Sequence, residues 1–132
     1  MSWLDILEDS HAIRAVYGDD LPSLGWVTLH ELSIHRDGPR ATLRFDLASY
    51  PAYPPKKWQE QGFNVVQVLM DIFPVEEVVI RDFDVESRID LHLKRNNLSI
   101  EVIARGSTKF YIVGHHLMIG KISAYCDPSL ME

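Results

Sequence analysis

The sequence predicts an α+β domain dominated by strands: about eight mostly antiparallel strands in a curved or two-layer meander, with short helices at the N-terminus. Three observations lead there. Apolar residues fall at helical spacing only before Trp26. After Trp26 they alternate with polar ones, as in strands with one buried face. Turn-forming pairs then punctuate the alternation at short intervals, which makes neighbouring strands antiparallel.

Residues 2–17 read as helix in two pieces. Trp3, Ile6, Leu7, Ile13 and Tyr17 share one apolar arc. Ser10 interrupts it and reads as the N-cap of a second piece through His11–Tyr17, closed by Gly18. Asp19 to Ser23 form a turn around Pro22.

The expected strands cover roughly 26–35, 40–47, 64–71, 76–82, 88–94, 98–104, 108–113 and 116–125. Ala41, Leu43, Phe45 and Leu47 alternate with Arg40, Thr42, Arg44 and Asp46, and the segments after Arg88 and Leu98 repeat this pattern. In the first strand Val27 and Leu29 have one parity and Leu32 and Ile34 the other. A bulge near His30-Glu31 would return both pairs to the core. Expected turns lie at Asp37-Gly38-Pro39, Asn96-Asn97, Gly106-Ser107 and Gly114-His115, with Gly38 at positive φ. Val65 to Met70 and Val78-Val79-Ile80 are apolar on both faces, which predicts strands covered on both sides. The crossing 48–62 holds Tyr50, Tyr53, Trp58, Pro51, Pro54 and Pro55. It should be stiff and extended, with Trp58 largely buried as part of a plug over the sheet.

The chain of 132 residues fits one domain, 1–132, with no linker-like run inside it. Its net charge of −6 argues against nucleic acid as a direct ligand and disfavours anionic membranes. It suits a basic protein partner, although mild acidity also serves solubility. Cys126 is the only cysteine, so no intrachain disulfide can form, and a reducing compartment fits. Asp5, Glu8 and Asp9 stand where a signal peptide needs basic and then apolar residues, and no apolar run is long enough to span a bilayer. The expected location is the cytoplasm.

No constellation of catalytic residues emerges, and no enzyme, cofactor or metal site is expected. The six histidines lack ligand spacing. Cys126 follows the last strand with nothing to activate it, and neither a serine elbow nor a phosphate-binding glycine loop is present. The acids between Glu76 and Asp90 are more suggestive. Asp82, Asp84 and Glu86 have one strand parity and would point to one side of an extended chain. Together with Glu76 and Glu77 they form the candidate partner-binding set. A cation loop and a plain solvated edge compete with that view, since a charge run is usually a solvated face.

Several local patterns then recur in order: Trp3, Tyr17-Gly18 ahead of Leu21-Pro22-Ser23-Leu24, Arg36-Asp37-Gly38-Pro39, Pro54-Pro55-Lys56-Lys57-Trp58, Phe63-Asn64, and Ile122-Ser123-Ala124-Tyr125. In that order and spacing they resemble the immunity protein 50 family of bacterial polymorphic-toxin systems, over nearly the whole chain. The resemblance implies a non-catalytic protein that binds and neutralises a cognate toxin domain. The resembling residues occupy turn, loop and core positions, so the resemblance transfers no binding residue. Two alternatives stand beside it. One is an assembly subunit pairing through an exposed sheet edge. The other is a small-molecule binder with its pocket under the 48–62 loop.

Overall fold

The computed structural model describes residues 3–130. Ser2, where the helical stretch was expected to begin, lies outside the described residues. The stretch does come in two pieces. Trp3–Ile6 is a single 3-10 turn and His11–Tyr17 is α1. Ser10 occupies the N-cap position, but its side chain caps nothing. Its Oγ accepts from Arg14 Nε at 2.8 Å, while Asp9 Oδ1 takes the His11 N–H at 2.9 Å. Gly18, at φ +63°, ends α1 and donates its N–H to the Arg14 carbonyl.

Six antiparallel strands close into a barrel. They are β1 (Val27–His35), β2 (Arg40–Asp46), β3 (Val65–Arg81), β4 (Arg88–Asn96), β5 (Ser99–Gly106) and β6 (Lys109–Tyr125). The count falls from the expected eight because two pairs fuse. Segments 64–71 and 76–82 are one 17-residue strand, and so are 108–113 and 116–125. Gly114-His115 is therefore no turn but the middle of β6. Pro74 does not end β3, because pairing with β2 stops at Ile72 and the missing N–H is not needed there. The bulge near His30 is present as a register shift between Leu29 and Glu31, but it returns only Leu32 to the core's edge: Ile34, near the end of the strand, stays 52% exposed. Gly38 turns the first hairpin at φ +124°.

The two fused strands are the hinge of the architecture. The first half of β3 pairs with β2, and with the second half of β6. Its second half pairs with the first half of β6, which continues into β5 and β4. Two curved layers thus share β3 and β6. Each long strand bends between the layers, with a register shift between Val75 and Glu77. A short seam closes the barrel, Val27 opposite Ile89 and Thr28 opposite Arg88.

The interior is apolar throughout. Phe45, Leu43, Val66, Met70, Ile72, Ile89, Ile100, Ile112 and Leu117 are fully buried, joined by Leu4 and Ile13 from the N-terminal helices. The helices are tied down at several points. Trp3 Nε1 donates to the Pro22 carbonyl at 2.9 Å, the Glu8 N–H to the Leu117 carbonyl at 2.8 Å, and the Tyr17 hydroxyl to the Ser49 carbonyl at 2.7 Å.

Two expectations about coverage change. The crossing is not extended to its end: Lys56–Gln61 forms α2, with Pro55 at its N-cap and Gly62 left-handed at its C-cap. Pro55 presets the first turn, so the run of prolines initiates this helix as well as stiffening the loop. Trp58 is half-buried, its ring 6.5 Å from that of Tyr50, and it packs on the core from outside; Tyr53 is exposed. Val78-Val79-Ile80 is not covered on both sides either, and Ile80 is 42% exposed. No helix among the described residues is long and apolar enough to cross a membrane.

Candidate protein interface

Asp82, Asp84 and Glu86 of the predicted acidic set gather at one end of the barrel, but not in the predicted conformation. Residues 82–87 form a loop between β3 and β4, so Asp82, Asp84 and Glu86 do not share a strand face. The parity argument fails because Asp82 takes a left-handed backbone, φ +52°, and turns the chain out of β3. The loop crosses over the β5–β6 turn. There the buried Thr108 hydroxyl accepts the Asp84 N–H at 3.0 Å.

Local bonds hold this loop. Asp84 Oδ1 accepts the Val85 N–H at 2.6 Å, and Glu86 Oε1 accepts the Arg88 N–H at 2.9 Å. The Ser87 carbonyl accepts the Leu29 N–H at 2.8 Å, and Lys109 Nζ pairs with Asp82 at 3.4 Å. The acids thus act first as backbone braces. What the braced loop displays is apolar: Phe83 is 64% exposed and Val85 98% exposed. Trp26, also exposed, lies beside the loop with the Arg88 guanidinium 5.6 Å from its ring centre. Sequence reasoning weighed the charges and passed over Phe83 and Val85. The alternation of acidic and apolar residues in Asp82-Phe83-Asp84-Val85-Glu86 was the available signal.

Glu76 and Glu77 lie apart from this loop, on the second half of β3. Glu76 is the bulged residue and pairs with His115; Glu77 stays exposed. The structure therefore brings Asp82, Asp84 and Glu86 together and leaves Glu76 and Glu77 along the adjoining edge.

A polar cluster that the sequence did not reveal sits on the outer wall of the other layer. Asp46 is 7% exposed and is contacted from three strands. His30 Nε2 lies 2.8 Å from its Oδ2, Gln67 Nε2 donates to Oδ1 at 3.0 Å, and the Tyr125 hydroxyl donates to Oδ2. Asp46, His30 and Tyr125 line a surface groove of about 600 Å³ that also reaches Glu86 and Arg88. Only the register brings them together: Asp46 lies opposite both Thr28 and Gln67 on neighbouring strands. The groove wall offers carboxylate, imidazole, phenol and the hydroxyls of Thr28 and Ser87, and His30 is hydrogen-bonded to Asp46. Among the described residues no three His, Cys, Asp or Glu side chains are grouped to hold a metal ion. Tyr50, Tyr53 and Trp58, under whose loop the alternative reading placed a small-molecule pocket, do not line this groove.

Burial raises the pKa of Tyr17 and of Tyr125 well above the ordinary phenol value. The neighbouring Tyr50 adds to the effect on Tyr17, and the Asp46 hydrogen bond to that on Tyr125. A raised folded-state value favours the protonated phenol in the fold. Stability is then intact below the unfolded value, about pH 10, and is lost as pH rises beyond it. Melting temperature should fall above that pH in the wild-type chain, and fall less steeply in a Tyr17→Phe, Tyr125→Phe double variant. Parallel curves for the two proteins would assign the alkaline loss elsewhere.

The family model for immunity protein 50 matches residues 9–125. The chain belongs to that family. No curated protein and no solved structure matches it. For this member of the immunity protein 50 family, the matched span runs from Asp9 to Tyr125 and contains the barrel, the braced loop and the Asp46 cluster.

Proposed function

We propose that this chain is a cytoplasmic, non-catalytic binder that neutralises a cognate toxin domain, using the loop Asp82–Ser87 as its main contact. The observation that carries this is the braced loop with exposed Phe83 and Val85 set among Asp82, Asp84 and Glu86. Apolar anchors on a backbone that is already ordered lose little entropy on binding. Acids around them favour a basic surface and speed encounter. Glu76 and Glu77 extend the same sign of charge along the flank and complete the proposed contact set. Family membership supplies the kind of partner, and the acidic balance of the chain supplies its sign.

The test is binding to the toxin domain encoded beside this chain, measured by association and dissociation rates and by survival on co-expression. Phe83→Ala should weaken the complex by about 2 kcal/mol, roughly thirtyfold, through faster dissociation. Asp82→Lys with Glu86→Lys should instead slow association and flatten its dependence on salt. Melting curves separate these effects from unfolding, because Phe83 packs on nothing in the core. Unaltered rates in both variants would move the interface away from this loop.

A further inference from the structure

Among the described residues the barrel leaves strand edges unpaired on both sides of the short β1–β4 seam and along β3 beyond the end of β2. Past Val75, β3 pairs only with β6, and no other strand hydrogen-bonds its outer edge among the described residues. The open stretch is Glu77–Arg81. It is bounded by the bulge at Glu76 and by the left-handed turn at Asp82. Its middle is Val78-Val79-Ile80, three β-branched residues with no charge among them. Edges guarded against pairing carry a proline, a lysine or an inward-pointing charge at their centre, and this one does not.

The pleat assigns each side chain to a face. Val78 and Ile80 lie opposite the buried Ile112 and Phe110 and share their face, Val78 packed on the core and Ile80 still 42% exposed. Glu77, Val79 and Arg81 lie opposite Val113, Tyr111 and Lys109 on the outer face. Neither Glu77 nor Arg81 has an ion-pair partner among the described residues. We propose that two copies of this chain pair antiparallel along this edge, with Val79 opposite Val79 on the two-fold axis and Glu77 opposite Arg81 on either side of it.

The register follows from the faces. Residues directly opposite in an antiparallel pair point to the same side of the sheet, so only registers that keep parity are allowed. Placing Val79 on the axis sets Val78 against Ile80 inside and Glu77 against Arg81 outside, twice each. Placing Val78 on the axis would set Glu77 against Val79 and leave both charges unpaired. Glu76 and Asp82 fall at the ends of the favoured register, where the bulge and the left-handed turn take them out of the regular strand; Asp82 also pairs with Lys109 of its own chain. The union makes one continuous sheet, β4-β5-β6-β3 followed by β3-β6-β5-β4 of the second copy. The half-buried outer row of Ile103, Tyr111 and Val79 then runs unbroken across the axis. The loops at Asp82–Ser87 stay at the two ends of the junction, while Glu77 is shared between the junction and the proposed toxin contact set, so the pairing is tested on the chain alone.

Sedimentation velocity on the purified full chain alone, over a concentration series, tests the pairing. The wild-type chain should shift from monomer to dimer as concentration rises. Val79→Lys, which sets two like charges on the axis, should remain monomeric. Glu77→Arg and Arg81→Glu should each weaken the dimer by about tenfold or more. The double variant Glu77→Arg, Arg81→Glu should recover wild-type association, because the swap restores both cross-pairs in a symmetric dimer and in no other arrangement. Glu77 and Arg81 are exposed, so these variants keep the fold. A chain that stays monomeric at every concentration overturns the proposal. So does a double variant no better than the two single ones, or an edge engaged only by a strand of a different protein.

Discussion

Gly114→Val should be among the most damaging single substitutions in this protein, lowering stability by about 3 kcal/mol or more. Gly114 is buried in the middle of β6, where β6 bends from one layer into the other. A Cβ there would lie 2.5 Å from Ile72 Cγ2 and 3.0 Å from the Pro74 carbonyl oxygen. The Pro74 oxygen belongs to backbone held in the bend, and Ile72 is wedged in the core, so neither gives way cheaply. Even Gly114→Ala should destabilise, while Gly18→Ala, whose Cβ would meet nothing within 4 Å, should show only the strain of its positive φ. Chemical denaturation of the three variants measures this. A Gly114→Val chain that unfolds at the wild-type midpoint would mean that the two long strands do not cross as closely as described.

Phe45→Ala should cost about 3–5 kcal/mol, comparable to or above the glycine change. Phe45 is the largest of the fully buried side chains and lies on β2 between Leu29 of β1 and Val68 of β3. Its removal opens a cavity walled by strands on either side. A closed barrel cannot collapse readily onto such a void, because each wall is fixed by ladders to both neighbours. Phe45→Leu should recover much of the loss, since the void then shrinks to a few atoms. If the alanine and leucine variants melt together, the loss comes from the aromatic ring itself and not from the volume it fills.

These two residues show different degrees of legibility. The buried position of Phe45 could be read from alternation alone, since Ala41, Leu43 and Phe45 share a parity and all three are fully buried. The bulge beside His30 was legible for the same reason, because a phase slip in the apolar pattern has few other remedies. Gly114 was misread. A glycine beside a histidine between two apolar runs has the chemistry of a turn, and only the approach of Ile72 and Pro74 shows that it was needed for space. Pro74 lies between the expected strands 64–71 and 76–82, yet β3 runs through it, because a proline ends a strand only where its missing N–H would have been used.

The site divides along similar lines. That acids cluster between Glu76 and Glu86 is a fact of the sequence. That Asp84 and Glu86 spend an oxygen each on their own loop, that Phe83 and Val85 face solvent, and that Asp46 gathers His30, Gln67 and Tyr125 depends on the register of four strands. The sequence alone determined the strand-rich class, the apolar faces and the sign of the charge, because each follows from local periodicity or a simple count. The tertiary structure alone decided which strands fuse, where the barrel leaves an edge open and which polar groups meet, because those outcomes depend on contacts between residues far apart in the chain. Such contacts are fixed by pairing and close approach, and neither has a local signature.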